Sequence, residues 1–325
     1  MSKLLIALLS ALAVAGSLFA ATNLTEQATN SPAAPPESPE QVEANYKKLM
    51  ALDDAAQNEI DHWIRDNNDF ARQGAGVPAA ELNKRILERR AEVRKAYEEF
   101  IARHPKHVDA RLAFGGFLND LHDEEEAQAQ WEKALALDPK SAPAYNNLAN
   151  VFTHIGPVSN AFAYYAKASE LNPLEPLYYH NLGDTVFAFR HDAVKFYGFT
   201  NDQQVYDKAL SFYEKALKLD PENFPFASDL AQTYYAIKPI RTDAALRAWT
   251  NTLALAHDDA EREGVYLHFA RLKMAAGRYA EAWAHVNVVT NDLYKDLKAR
   301  LVRNLAEQEH KAAAGTNAPA REVKK

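Results

Sequence analysis

Histidine and carboxylate side chains are the groups through which this 325-residue chain could ligate a metal or move a proton, because it contains no cysteine. His104 and His107 form an H-x-x-H pair, the kind of spacing that on a helix can offer two imidazoles to one ion. Pro105 stands between them at an expected turn, so the two rings do not share a helical face and no metal is expected there. The run Asp123, Glu124, Glu125, Glu126 gathers four carboxylates. Placed between two helices it reads as a solvated helix start, where acids complement the positive end of the dipole. The sequence holds no G-x-S-x-G, H-E-x-x-H, Walker or dinucleotide-binding glycine pattern, so neither an enzyme nor a cofactor is expected.

Composition narrows the field further. Lys and Arg number 37 against 44 Asp and Glu, giving a net charge of −7, which argues against a nucleic-acid partner, since that requires a basic patch. Only 11 glycines are present, and Pro32, Pro35, Pro36 and Pro39 crowd together. Elsewhere the chain runs long distances without a backbone breaker, which favours helix. The absence of cysteine excludes disulfides, thiolate chemistry and a lipidated-cysteine anchor.

Residues 1–21 carry Lys3, an apolar run from Leu4 to Ala15, and the small residues Gly16, Ser17, Ala20 and Ala21. These are the parts of a secretory signal peptide, and the run is shorter than the ~20 apolar residues that span a bilayer. Cleavage is expected after Ala20 or Ala21, an uncleaved anchor being the alternative; the mature chain is then periplasmic or secreted, with no stable membrane insertion. Residues 22–40 are expected to form a disordered, Pro-rich linker.

In the rest of the chain, Pro105, Pro139 and Pro173 recur every 34 residues. Ala127, Trp131 and Ala134 precede Pro139; Ala161, Tyr165 and Ala168 precede Pro173; Ala209, Tyr213 and Ala216 precede Pro221. Upstream of these lie Leu112, Phe114, Leu118, then Tyr145, Leu148, Phe152, then Tyr179, Leu182, Val186. Spacings of three and four place each set on one face of a helix. At these residues the chain resembles the tetratricopeptide repeat family, most fully at Tyr145, Leu148, Ala149, Phe152, Ala161, Tyr165, Ala168 and Pro173.

The resemblance implies an all-α fold, a right-handed α-solenoid of antiparallel helix pairs. Repeats are expected near 108–141, 142–175, 176–223, 224–257 and 263–289. A degenerate helix pair at 41–107 precedes them. A capping helix at 290–311 follows, with Leu293, Leu297, Leu301 and Leu305 on one side, and then a disordered tail at 312–325.

In this family the first helix of each pair faces a concave groove, so the resemblance also points to a site. Asn147, Asn181 and Asp229 stand just before the matched leucines, and Asn150, Asp184 and Gln232 two residues after them. Carboxamides both donate and accept, so such a row could grip the backbone of an extended peptide; equally, it could bond neighbouring helices together. Family members that clamp a terminal carboxylate use lysines at places held here by Leu112, Gly116 and Leu177.

The third unit is 14 residues longer than the others and is rich in aromatics, including Phe189, Phe196, Tyr197 and Phe199. Lengthened helices would carry these either as a projecting apolar ridge or as packing between the two helices. The expected function is a non-catalytic protein-interaction scaffold for an unidentified protein or peptide. A binding module for an envelope glycan is the alternative, and an envelope hydrolase using Asp184 and Asp229 the third.

Overall fold

The computed structural model describes residues 37–316. The proposed signal peptide, most of the linker and the end of the tail lie outside them. The chain divides into a unit ending at Ala44 and a unit from Asn45 onward; the described part of the first is the opening of one helix, and the second holds the remainder of that helix and all the later ones.

All the regular structure among the described residues is helical. Two long helices, α1 (Pro39–Arg72) and α2 (Ala79–Arg103), lead into α3 (Val108–Asp120), α4 (Glu124–Leu137), α5 (Ala142–Ile155), α6 (Val158–Leu171) and α7 (Pro176–Ala188). Then come α8 (Arg190–Tyr197), α9 (Asp202–Leu219), α10 (Phe224–Thr233), α11 (Thr242–Ala254), α12 (Asp259–Ala275), α13 (Tyr279–Asn287) and α14 (Lys295–Thr316). No described helix is long and apolar enough to cross a membrane.

The repeat is written in the helix ends. α3, α5, α7, α10 and α12 begin 34, 34, 48 and 35 residues apart. Each starts with a side chain accepting from a backbone N–H in its first turn: His107, Ser141, Glu175, Asn223 and Asp258. Such a cap satisfies a donor that the helix itself leaves without a partner. The helices preceding the first four of these stop alike, with N–H groups of His104, Asp138, Asn172 and Asp220 closing on Phe100, Ala134, Ala168 and Ala216. In every case the next residue is proline, which lacks the N–H needed to continue.

Packing explains why the recurring residues are small or aromatic. Ala127, Ala161, Ala209, Ala245 and Ala282 occupy one place in successive second helices and are all 0% exposed. Trp131, Tyr165, Tyr213 and Trp249, four residues further on, are 1–3% exposed. Each ring fills the space between helices that the neighbouring alanines allow to come close, so close packing fixes the register.

Four boundaries differ from the sequence expectation. The linker ends earlier, because Ser38 and Gln41 cap α1 reciprocally: Gln41 Oε1 accepts from the Ser38 N–H at 2.7 Å and Ser38 Oγ from the Gln41 N–H at 3.3 Å. This is a capping box, with Pro39 at the first helical position. At the other end α14 continues to Thr316, beyond the expected limit at 311.

The start of that capping segment is not helix. Glu263 of α12 accepts the N–H groups of Thr290 and Asn291, and Asn291 caps a 3-10 turn at Asp292–Tyr294. Leu293 is left 73% exposed, while Leu301 and Leu305 are buried. Finally, the excess of the third unit does not lengthen two helices into a ridge: it forms the separate helix α8. Phe189 breaks α7 at φ −104°, ψ 49°, and Gly198 ends α8 at φ 69°, a left-handed conformation that glycine adopts without strain. α8 lies against α6 and α9, with Ala193 0% exposed.

Candidate functional site

The polar residues expected along the first helices divide into three groups. In the first, the side chain two residues after the matched leucine receives the hydroxyl of the repeat's own buried ring. Tyr213 donates to Asp184 Oδ1 at 2.7 Å, Tyr165 donates to Asn150 Oδ1, and Tyr97 of α2 donates to Asp53 of α1 in the same manner. Gly116 holds this place in α3, and Trp131 turns its Nε1–H to the carbonyl of Leu112 instead, at 3.1 Å. These contacts hold a polar atom of a buried ring to its partner helix, which an apolar neighbour could not do.

The second group ties each repeat to the next. Asn181 of α7 donates to Asn146 Oδ1 of α5 at 2.8 Å, and Asp229 of α10 lies 2.9 Å from His180 Nε2 of α7. Asn146 and His180 stand at the same place, two residues before Leu148 and Leu182, one 34-residue period apart. The bond therefore recurs: the residue before one leucine reaches back to the residue two before the previous one.

The third group consists of the ends of this ladder. Asn147 finds the apolar Leu112 at the place where a partner would stand, and its Oδ1 accepts from Asn146 at 3.2 Å instead. Gln232 is exposed and donates within its own helix, to Ser228 and Asp229.

A hollow of about 220 Å³ brings Asn150, Asn181 and Asp184 together with Tyr165, Thr185 and Phe189. Asn147, Asp229 and Gln232 lie outside it. Partial burial pushes the Asp184 carboxyl above its ordinary range, with the Tyr213 hydroxyl and His180 opposing that shift. Its side chain is still 51% exposed.

Residue spacing alone did not point to His180 or Asn146. The available signal was the period itself, which sets both beside the carboxamide row. His180 is 12% exposed at its side chain, contacts Asp184 Oδ2 through Nδ1 at 3.4 Å as well as Asp229, and stacks on Phe226 with centroids 4.4 Å apart.

The other sequence candidates serve packing and capping. His107 Nδ1 accepts from the Ala110 N–H and both His104 and His107 pack on Phe100. The acidic run is gripped by Arg94 of α2, at 3.3 Å from Asp123 and 2.5 Å from Glu126. Phe196 and Tyr197 pack on the fully buried Phe162, and Phe199 stacks on Tyr197 at 5.3 Å. Phe189 joins the same core, leaving Phe196 the exposed member of the group, at 41%.

A family model for the tetratricopeptide repeat matches residues 202–223, which comprise α9 and the turn after it. No curated protein sequence matches the chain. Among solved structures it is similar to MamA at 22% identity, over 55% of this chain and 95% of that one, with a TM-score of 0.42. It is similar to Pseudomonas aeruginosa pilF at 16% identity, over 76% of this chain and 99% of that one, with a TM-score of 0.49. YrrB, described as having an unusual peptide-binding site, aligns at 17% identity over 60% of this chain and 90% of its own, with a TM-score of 0.46.

Proposed function

Since the chain is a tetratricopeptide-repeat protein whose helix pairs stack from α3 to α13, we propose that it is a non-catalytic scaffold that holds an extended segment of a partner protein along its first helices. One observation carries this reading. The polar row on α5, α7 and α10 uses part of its hydrogen-bonding capacity to hold the repeats together, and the remainder borders a hollow at Asn150 and Asn181, is half-buried at Asn147 and stands exposed at Gln232. A carboxamide has up to four hydrogen-bonding positions, so one bonded within the fold still offers others to a peptide backbone. The hollow beside Asn150 and Asn181 gives one side chain a place to enter. The acidic balance of −7 supports a partner other than nucleic acid.

The fold limits which substitutions can test this. Replacing Asn150 or Asn181 removes a partner from Tyr165 or Asn146 and so perturbs the fold together with any binding. Gly116 is free of that difficulty, since a Cβ placed on it meets nothing within 4 Å. Gly116→Trp should obstruct the row from open space, and Asn147→Ala with Gln232→Ala should remove two of its ends. Crosslinked capture from cell extract, analysed by mass spectrometry, should recover a defined protein with the wild type and markedly less with either variant. Equal capture by all three would refute the groove reading, and capture that survives protease treatment of the extract would favour a glycan.

A further inference from the structure

His180, Asp184 and Asp229 offer one imidazole and two carboxylates whose ligand atoms lie within 4.8 Å of one another. We propose that these three side chains form a binding site for a divalent transition-metal ion of the zinc class, placed between the third and fourth repeats. The proposal is independent of which partner, if any, the groove accepts.

Three features of the geometry support it. First, the ligands come from two helices. His180 and Asp184 are four residues apart on α7 and share a face, while Asp229 approaches from α10. The imidazole lies 2.9 Å from one carboxylate and 3.4 Å from the other. Ligand atoms around a tetrahedral ion with bonds of about 2.0–2.1 Å are separated by roughly 3.3 Å. One imidazole nitrogen and one oxygen of each carboxylate already lie within 4.8 Å of one another, so an ion can replace these hydrogen bonds once the more exposed carboxylates draw in around that nitrogen.

Second, the supporting contacts are in place. Tyr213, 2% exposed, donates to Asp184 Oδ1 at 2.7 Å, leaving the other oxygen, Oδ2, facing His180. Phe226 stacks on the imidazole at an interplanar angle of 21° and limits how the ring can lie. Partners of this kind orient ligands and commonly contribute 10–100-fold in metal affinity.

Third, the access is one-sided. The His180 side chain is 12% exposed, against 51% for Asp184 and 39% for Asp229. The ring is anchored while the carboxylates face solvent, and three protein ligands leave a position open to water. An imidazole in the set favours zinc, nickel, copper or cobalt over magnesium or calcium, which prefer oxygen alone.

The test uses the full chain stripped with EDTA and titrated calorimetrically with zinc chloride and, separately, magnesium chloride. Cobalt chloride provides a visible-absorption readout of imidazole coordination. One equivalent of zinc should bind with no response to magnesium, and zinc should raise the thermal unfolding midpoint. His180→Ala and Asp229→Asn should each weaken binding at least tenfold, and Tyr213→Phe about tenfold through Asp184.

His62→Ala, at an exposed His–Asp pair on α1, should change nothing. Circular dichroism reports whether His180→Ala has folded; should it not, Asp229→Asn, at a more exposed residue, decides the question alone. The absence of zinc binding in the wild type, or an equivalent that persists undiminished in Asp229→Asn, overturns the proposal.

Discussion

Replacing Gly115 and Gly116 of α3 by alanine, one at a time, perturbs adjacent positions with opposite expected results. A Cβ on Gly115 would lie 2.2 Å from Trp131 Nε1, 2.6 Å from Cδ1 and 2.7 Å from Cε2. Non-bonded atoms sit near 3.5–4.0 Å, so the body of the indole must retreat by about 1 Å. Trp131 is 3% exposed and its Nε1–H is held by the Leu112 carbonyl. Overpacking of this kind costs ~1–3 kcal/mol and the loss of the hydrogen bond ~0.5–1.5 kcal/mol. Alanine's better helix propensity returns ~1 kcal/mol, leaving a net destabilisation of ~0.5–3.5 kcal/mol.

At Gly116 the added methyl meets nothing within 4 Å, and only the propensity gain of ~0.5–1 kcal/mol remains. Thermal unfolding should move by about 2–4 °C per kcal/mol, downward for Gly115→Ala and upward for Gly116→Ala. Stacked repeats can melt in parts, so hydrogen exchange on peptides from α3 and α4 should locate the change. If Gly115→Ala is as stable as the wild type, or both variants shift in the same direction, the placement of Trp131 against α3 is wrong and the repeat register falls with it.

Trp131→Ala should destabilise by ~3–5 kcal/mol, since it empties a core site between helix pairs, and denaturant unfolding will measure it. Asn150→Ala should cost ~1–2 kcal/mol in the wild type and much less in a Tyr165→Phe background, because the two side chains share one hydrogen bond; a double-mutant cycle showing no coupling would dissociate them. His268 stacks on Trp249 at 3.8 Å, and burial, reinforced by Arg271, lowers its pKa from 6.5 to about 4. The unfolded chain takes up that proton first, so this contribution is whole above pH 6.5 and is lost as pH falls from 6.5 to 4. The loss amounts to roughly 3 kcal/mol, and His268→Gln should flatten that part of the stability profile.

The 34-residue period, the helix pairs and the small and aromatic core positions were legible in the sequence because they are local. Spacing of three and four defines a helical face, proline defines where it stops, and a face repeated at constant period implies neighbours of the same kind. Ser38 and Gln41 at α1, and Gly198 at the end of α8, were equally readable signals that the composition of their surroundings concealed.

The roles of the polar row were of another kind. Asn147 and Asn181 occupy one place in the pattern, yet Asn181 bonds Asn146 on the preceding helix pair, whereas the register position that would serve Asn147 holds the apolar Leu112 and Asn147 bonds its neighbour Asn146. Likewise Asp184 and Asp229 were visible as acids, but not the imidazole of His180 between them. Periodicity assigns a side chain to a face of its own helix. Which atom it meets there depends on the residue presented by a helix 34 or 48 positions away and on how closely the two helices pack, and only the tertiary structure decides that.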